Sequence, residues 1–149
     1  MKRSMTVGAM TAVALALTVS ATVADAAESV TIEIRTAEPY GEHLAAQDGH
    51  VVYLFSGDRE NESICYDACA LAWPPVVTEG EPVAGKGVDA AKLGTAERRD
   101  GEIQVTYSGV PLYYFIQANA PGDTAGQGTQ GFGGSWHLVS PDGEKIEEQ

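Results

Sequence analysis

The chain has 149 residues, with nine lysine and arginine side chains against 21 aspartate and glutamate side chains, and a formal net charge of −12 at pH 7. A chain of this length suits a single domain with one modest core. So acidic a surface disfavours nucleic acid and anionic lipid as partners, because both carry negative charge. The surface charge either serves solubility alone or attracts metal ions or a basic protein partner.

Residues 1–26 have the features of a secretory signal peptide. Lys2 and Arg3 give a positive start, residues 7–19 form an apolar run, and residues 24–26 read Ala-Asp-Ala, with small residues at the positions that a signal peptidase inspects. The run is short for a membrane span and lacks a basic stop-transfer flank, although an N-terminal anchor helix is the alternative. We expect cleavage after residue 26, export to the periplasm or the medium, and no membrane span afterwards. The mature chain then carries seven basic and twenty acidic side chains, a net charge of −13.

The mature chain, residues 27–149, begins with signals for β-strands. Residues 30–35 alternate apolar and polar side chains at period two, as a half-buried strand does. Residues 40–45 and 51–55 flank Asp48-Gly49, a dipeptide typical of hairpin turns. The sequence therefore predicts one strand followed by a hairpin.

Helix is scarce and is predicted only near the middle of the chain. Residues 66–73 predict a two-turn helix, which ends at Pro74-Pro75 because proline cannot continue a helix. Residues 88–93 predict one further turn. Residues 78–93, which begin with a stretch rich in glycine, proline and glutamate, are interpreted as the linker between two halves.

The second half returns to strand signals. Residues 103–107 and 110–115 flank Ser108-Gly109 and predict a second hairpin, and residues 136–139 predict a last short strand. The stretch 126–131 spells GxGxxG but follows a polar turn, so a dinucleotide site is not expected there. We interpret it as a loop whose glycines leave room for neighbouring aromatic side chains.

The two hairpins share one pattern, sixty positions apart, in which a glycine precedes a tyrosine by four residues and a phenylalanine follows it by two. A tryptophan closes each unit. The shared aromatic positions are Tyr53, Phe55 and Trp73 in the first unit and Tyr113, Phe115 and Trp136 in the second. Repeated units of this size are typical of a duplicated supersecondary element whose copies bury a common face. We predict a mainly β fold with one or two short helices, in which two hairpin-centred repeats, about 40–77 and 94–141, form one small domain with both tryptophans in the shared core.

These motifs resemble a known family. Residues 53–58, Tyr-Leu-Phe-Ser-Gly-Asp, match in full the Yx(FWY)xxD motif of the secreted repeat of unknown function, a family also described as predicted lipoproteins. The cysteine and Trp-Pro-Pro segment at 65–75 and several motifs between 111 and 137 are similar to the family's pattern, in the same order. In the second copy Ala118 stands where the motif has aspartate, and the lipoprotein cysteine is missing. The resemblance implies fold and export but no activity, because the family has none established.

The remaining motif residues allow structural and functional interpretations. We expect Asp58, after the first predicted hairpin, to cap loop 57–62 by accepting backbone N–H bonds. Calcium binding by this loop is the alternative, although the ligand spacing of an EF-hand is absent. For Tyr53 and Tyr113 we favour packing in the core over a pair of rings on which a ligand stacks.

Cys65 and Cys69 are the two cysteines of the sequence, and an exported setting favours a disulfide between them. Side chains four apart on a regular helix have Cβ atoms about 5–6 Å apart, whereas a disulfide needs about 3.8 Å. A bridge therefore requires a turn or a frayed helix end at this segment. On a regular helix the thiols would stay free and, with His137, would suit a soft metal such as Cu(I).

The sequence offers no recognisable set of nucleophile, base and orienting group. We therefore expect a monomeric, exported, non-enzymatic protein without a cofactor, which acts by binding or as a structural component of the envelope or medium. The alternative is a periplasmic copper-binding or redox protein that uses Cys65, Cys69 and a histidine.

Overall fold

The computed structural model describes residues 28–148, together with Gly8 and Ala14. The rest of the predicted signal peptide, including its cleavage site, lies outside the described residues. Within the described part of the chain, no helix has the length and apolar character needed to cross a membrane.

The described residues form a mainly β fold, as the sequence predicts, with nine short strands, one short α-helix and one 3₁₀ helix. The strands are β1 (Thr31–Ala37), β2 (Gly41–Ala46), β3 (Tyr53–Phe55), β4 (Val83–Ala84), β5 (Leu93–Glu97), β6 (Ile103–Tyr107), β7 (Val110–Pro111), β8 (Gln130–Gly131) and β9 (Gly134–Leu138). The α-helix, α1, is Ala68–Ala72, and the 3₁₀ helix is Ala90–Lys92. These strands make three three-stranded sheets, with the orders β2-β1-β4, β3-β9-β8 and β5-β6-β7.

The first predicted hairpin is present but short. One bridge joins Ala45 to Val51 across the turn at Asp48-Gly49, while the main partner of β2 is β1, antiparallel to it over six residue pairs. Beyond that bridge β3 leaves β2 and pairs with β9 of the second half. Residues 51–55 are all buried. A strand in that position needs partners on both edges, because its backbone polar groups are cut off from water.

The second predicted hairpin is formed by β6 and β7. Ser108 and Gly109 both have positive φ, 52° and 77°, as the type I′ turn of a two-residue hairpin requires. β7 ends at Pro111, earlier than predicted, because the chain then crosses to the first half, where Tyr113 pairs with Tyr53. β5 completes the sheet by pairing antiparallel with β6.

Both helices are shorter than predicted. α1 begins after Asp67, whose φ of 54° is incompatible with a helix, and it ends before Trp73-Pro74. The second predicted helix is reduced to the 3₁₀ turn, at whose start Asp89 accepts the Ala91 N–H at 2.9 Å. The predicted linker, 78–93, also contributes β4, which pairs in parallel with β1. The linker is therefore packed as part of the folded domain.

Two clusters of buried side chains make up the core, and each draws on both halves of the chain. The first cluster contains Ile32, Leu44, Val52, Leu54, Val76, Val105, Tyr107, Leu112 and Val139. The second, which we call the aromatic cluster, contains Val51, Tyr53, Phe55, Cys65, Cys69, Trp73, Tyr113, Trp136 and Leu138. Residues 51–55 lie between the clusters, and their alternate side chains enter opposite clusters as the two-residue period of a strand dictates.

Candidate functional site

The two copies of the motif meet at their tyrosines. The Tyr53 N–H donates to the Tyr113 carbonyl at 2.8 Å, and the Tyr113 N–H donates to the Tyr53 carbonyl at 2.9 Å. Equivalent residues of the two repeats are thus paired directly with each other in an antiparallel bridge. Such reciprocal pairing gives the centre of the aromatic cluster an approximate two-fold arrangement.

The two predicted core tryptophans lie face to face beside this bridge. Their ring centroids are 4.0 Å apart with an angle of 1° between the planes, and both side chains are buried. Phe55 of the first repeat stacks on Trp136 at 4.3 Å, and Phe115 of the second repeat stacks on Trp73 at 4.1 Å. Each phenylalanine therefore covers the tryptophan of the other repeat, and a four-ring stack joins the two halves.

The motif tyrosines pack edge-on against this stack. Tyr53 meets Trp73 at 5.5 Å and 76°, and Tyr113 meets Trp136 at 5.1 Å and 87°. Edge-to-face and offset-stacked contacts are the favoured geometries of aromatic pairs. Both tyrosines are fully buried. Their ring faces are occupied by neighbouring side chains, so they offer no platform on which a ligand could stack.

Asp58 connects the first repeat to the second. Its Oδ1 accepts the Ile64 N–H at 2.8 Å, two residues beyond the loop 57–62 that it was expected to cap, and its Oδ2 accepts the Tyr113 hydroxyl at 2.5 Å. Burial raises the pKa of the Asp58 carboxyl above its ordinary value, against the opposing effect of these two hydrogen bonds. Burial and the nearby Asp58 charge likewise raise the pKa of Tyr113.

The second copy achieves a related contact without the motif aspartate. Tyr53 donates its hydroxyl to the backbone carbonyl of Asp123 at 3.3 Å and accepts the Gly126 N–H at 3.2 Å. The Asp123 carboxylate caps its own loop by accepting the N–H groups of Asn119 at 2.9 Å and Ala125 at 2.8 Å. Burial raises the pKa of Tyr53 to about 12. The loop that contains Ala118 thus supplies a backbone acceptor where the first copy uses a carboxylate.

A buried arginine, which the sequence did not single out, extends the hydrogen bonds of Tyr113. Arg98 is 3 % exposed, and its Nη1 donates to Ser63 Oγ at 2.9 Å and to Gln104 Oε1 at 2.8 Å. Its Nη2 donates to the Cys65 carbonyl at 2.7 Å, and Ser63 Oγ lies 2.6 Å from the Tyr113 hydroxyl. A buried guanidinium requires several such acceptors to offset its desolvation. The resulting polar network crosses from one repeat to the other.

The cysteines form a disulfide with a Cα–Cα distance of 5.2 Å. Cys65 precedes α1 and Cys69 lies within it, separated by the positive φ of Asp67, so the segment is a turn that leads into a helix. This is the geometry that the bridge requires. Both sulfur atoms are bonded to each other and buried, so neither is a thiolate ligand in this form.

His137 does not join the cysteines in a metal centre. Its Nε2 lies 2.9 Å from Ser135 Oγ and its Nδ1 lies 3.2 Å from the Ile146 carbonyl oxygen, so both ring nitrogens have protein partners. Across residues 28–148, no group of three or more histidine, cysteine, aspartate and glutamate side chains is placed to hold a metal ion. The copper alternative therefore has no assembled ligand set in the part of the chain that the structure describes.

The polar network does not open onto one shared cavity. Asp58 lines a surface depression of about 340 Å³. Ser63 lines a different depression, of about 370 Å³, whose other walls include Tyr66 and Arg99. The hydroxyl, carboxylate and guanidinium groups of the network bond mainly to one another. Chemically, the arrangement holds the two repeats together through hydrogen bonds.

Fold and site together define a small duplicated β domain in which each repeat completes the other. The family model for the secreted repeat of unknown function matches residues 35–77 and 94–140. The chain belongs to this family, and the resemblance inferred from the motifs is confirmed. The family description indicates an exported protein of unknown role. No curated protein and no solved structure shows significant similarity to the chain.

Proposed function

We propose that this protein is an exported, non-enzymatic domain that acts by binding another molecule, or as a component of the envelope or the surrounding medium. The main support for this proposal is that residues of the motif contact the other repeat. Asp58 bonds to Tyr113 of the other repeat, and Phe55 stacks on Trp136 of the other repeat. The motif residues thus hold the two repeats together.

The chemistry of the buried groups supports this proposal. A general acid, base or nucleophile must reach the reacting atom of a substrate, directly or through one water. Ser63 and Tyr113 are 7 % and 0 % exposed, and their hydroxyl oxygens lie 2.6 Å from each other. The disulfide is buried in the aromatic cluster. Tyr113 and the disulfide lie within the core, and Ser63, which borders a surface depression, is hydrogen-bonded to Arg98 and to Tyr113.

The mature domain would act as a monomer in the periplasm or the extracellular medium. Its acidic surface favours solubility and repels nucleic acid and anionic lipid, which supports a small molecule, a polysaccharide or a protein as the bound partner. The core that the repeats share within one chain supports a monomer, because the aromatic face of each half is already covered.

A comparison of the wild type with Asp58→Asn and Tyr113→Phe tests the absence of catalysis. The purified mature protein would be assayed with chromogenic esters, phosphates and glycosides and with a thiol-oxidation substrate. We expect no turnover above that of either variant. Near-UV circular dichroism would establish that each variant keeps the native packing of its rings. Turnover that a folded Asp58→Asn variant has lost would overturn the proposal.

A further inference from the structure

Two depressions that share Glu79 lie along the linker, and residues of both repeats line them. One, of about 610 Å³, lies between residues 79–82 of the linker and the sheet surface that carries Leu93, Thr95 and Ile103. The other, of about 360 Å³, lies between the linker, the start of β1 and the end of β2. Glu79 lines both, and we call the two depressions together the linker groove.

The walls of the linker groove carry negative charge only. Glu28, Asp48, Glu79 and Glu81 line it, and no lysine, arginine or histidine does. Within residues 28–148, Glu28, Glu79 and Glu81 take part in no salt bridge. The fourth carboxylate, Asp48, lies 3.0 Å from the ring nitrogen Nδ1 of His50. Three carboxylates are therefore available to a partner of opposite charge.

The floor of the groove is apolar. Val30, Leu93, Ile103 and Tyr114 are half-buried, and Val77 is 36 % exposed. Burial, together with the Asp48 charge, raises the pKa of Tyr114 to about 12, so the phenol remains neutral at physiological pH. An apolar floor between carboxylates is complementary to a ligand that carries positive charges and aliphatic groups in alternation.

Three of the four acidic residues, all except Asp48, lie outside the two regions that the family model matches. Glu28 precedes the first matched region, 35–77, and Glu79 and Glu81 lie in the gap before the second, 94–140. The backbone nevertheless fixes them, because the N–H groups of Glu79 and Gly80 both donate to the Glu28 carbonyl, at 3.0 and 3.2 Å. The groove is thus an ordered feature of the fold, in which residues 79 and 80 are held against Glu28.

We propose that the linker groove is a docking site for an extended, basic polypeptide segment in which lysine or arginine alternates with aliphatic residues. The proposal rests on the binding role proposed above and gives it a surface and a class of partner. Alternation fits because successive side chains of an extended segment point to opposite sides, so that every second side chain faces the same way. Its aliphatic side chains would lie on Val77 and Ile103, and its cations would face Glu28, Glu79 and Glu81. Attraction of this kind accelerates association and weakens as salt screens the charges.

The test uses a short fluorescent peptide of alternating lysine and valine and the full mature chain, followed by fluorescence anisotropy. We expect saturable binding at low ionic strength that weakens as salt is added. The triple variant Glu28→Gln, Glu79→Gln, Glu81→Gln should weaken binding about tenfold, the sum expected for a few partly exposed ion pairs. Val77→Thr, which keeps the branched shape, should weaken it less.

The matched control removes three charges elsewhere, in Glu38→Gln, Glu60→Gln, Glu144→Gln, whose side chains are exposed and lie outside the groove. This control should bind the peptide almost as the wild type does. Equal losses in the two triple variants would show attraction by net charge alone and overturn the proposal. Equal binding of a lysine–serine peptide would show that the apolar floor has no role, and this would also overturn the proposal. A lysine–valine peptide that does not bind at low salt would overturn the proposal as well. The non-enzymatic role would stand in each case, since turnover assays test it separately.

Discussion

The two copies of the motif hold their tyrosines in equivalent places by different means. Tyr113 donates to a carboxylate oxygen of Asp58 at 2.5 Å, whereas Tyr53 donates to the backbone carbonyl of Asp123 at 3.3 Å. The approach to each tryptophan differs as well. A disulfide closes residues 65–69 before Trp73, while a glycine-containing loop precedes Trp136.

Gly126 shows how the second loop reaches the rings without a disulfide. A Cβ atom at this position would lie 2.7 Å from the Tyr53 ring and 2.9 Å from the Trp73 ring, so the site has room for hydrogen only. The first repeat instead places a bonded pair of cysteines in the aromatic cluster. The positions of the rings are therefore common to the two halves, and each half supports them with its own local structure.

Trp73 and Trp136 should contribute almost equally to stability, and their removal has the largest expected effect on the free energy of unfolding. Trp73→Ala and Trp136→Ala should each lower the free energy of unfolding by about 3–5 kcal/mol, because each opens a large cavity in the stack. Urea unfolding measures both. Such a loss approaches the whole stability of a small domain. Trp73→Phe and Trp136→Phe test the same two positions with a smaller loss of side-chain volume. A cost below about 1 kcal/mol for either alanine variant would contradict a shared stack as the joint between repeats.

The disulfide between Cys65 and Cys69 stabilises the first repeat and has no counterpart in the second. Cys65→Ala, Cys69→Ala should lower the free energy of unfolding by about 2 kcal/mol in the chain-entropy model, since the closed loop is short. Protein purified without reductant should show no reactive thiol and a mass two hydrogens below that of the reduced chain. Two reactive thiols with one bound copper would return the metal interpretation of Cys65 and Cys69 to first place.

Much of this fold was visible in the sequence because its signals are local. Alternation at residues 30–35 predicted β1, and Ser108-Gly109 predicted the turn between β6 and β7. The repeated spacing of glycine, tyrosine and phenylalanine, followed in each unit by a tryptophan, predicted two related units in one mainly β domain. Each of these patterns depends on residues that lie close together in the chain or recur at a fixed interval.

The polar network around Arg98 and Tyr113 could not be predicted from the sequence, because its hydrogen-bond partners are far apart in the chain. Arg98 bonds to Ser63 thirty-five positions away, and Tyr113 bonds to Asp58 fifty-five positions away. Arginine is rarely buried unless it is paired, so nothing marked Arg98 as part of a core. The pairing of β3 with β9 was missed for a similar reason, since an apolar run predicts burial but does not identify the neighbouring strand.

The hydroxyl groups of the two motif tyrosines give a finer comparison. Tyr113→Phe should cost more than Tyr53→Phe, by about 1 kcal/mol, because hydrogen bonds to charged groups are stronger than those to neutral ones. Tyr113→Phe takes a donor from Asp58, whereas Tyr53→Phe leaves the Gly126 N–H without its acceptor. Urea unfolding of the two variants under identical conditions measures the difference. Equal costs would mean that the carboxylate of the first copy has no advantage over the backbone carbonyl of the second.

The smallest expected effect is a difference in pH dependence between Asp58 and Asp123. Burial raises the pKa of Asp58, so the folded state holds this proton more tightly than the unfolded state does. Its contribution to stability is therefore present below the ordinary pKa of 3.8 and is lost as the pH rises through the folded value. Asp58→Asn removes this titration, so the stability of the wild type relative to Asp58→Asn should fall as the pH rises above 3.8.

Asp123 is the matched control, because its contribution has the opposite sign. Backbone hydrogen bonds from Asn119 and Ala125 lower the pKa of Asp123, so its contribution is present above the ordinary pKa and is lost as the pH falls through the folded value. The stability of the wild type relative to Asp123→Asn should therefore rise with pH over the acidic range. Urea unfolding at a series of acidic pH values measures both variants. Parallel trends would mean that the two aspartates share one environment, contrary to a half-buried carboxylate in the first copy and a loop cap near the surface in the second.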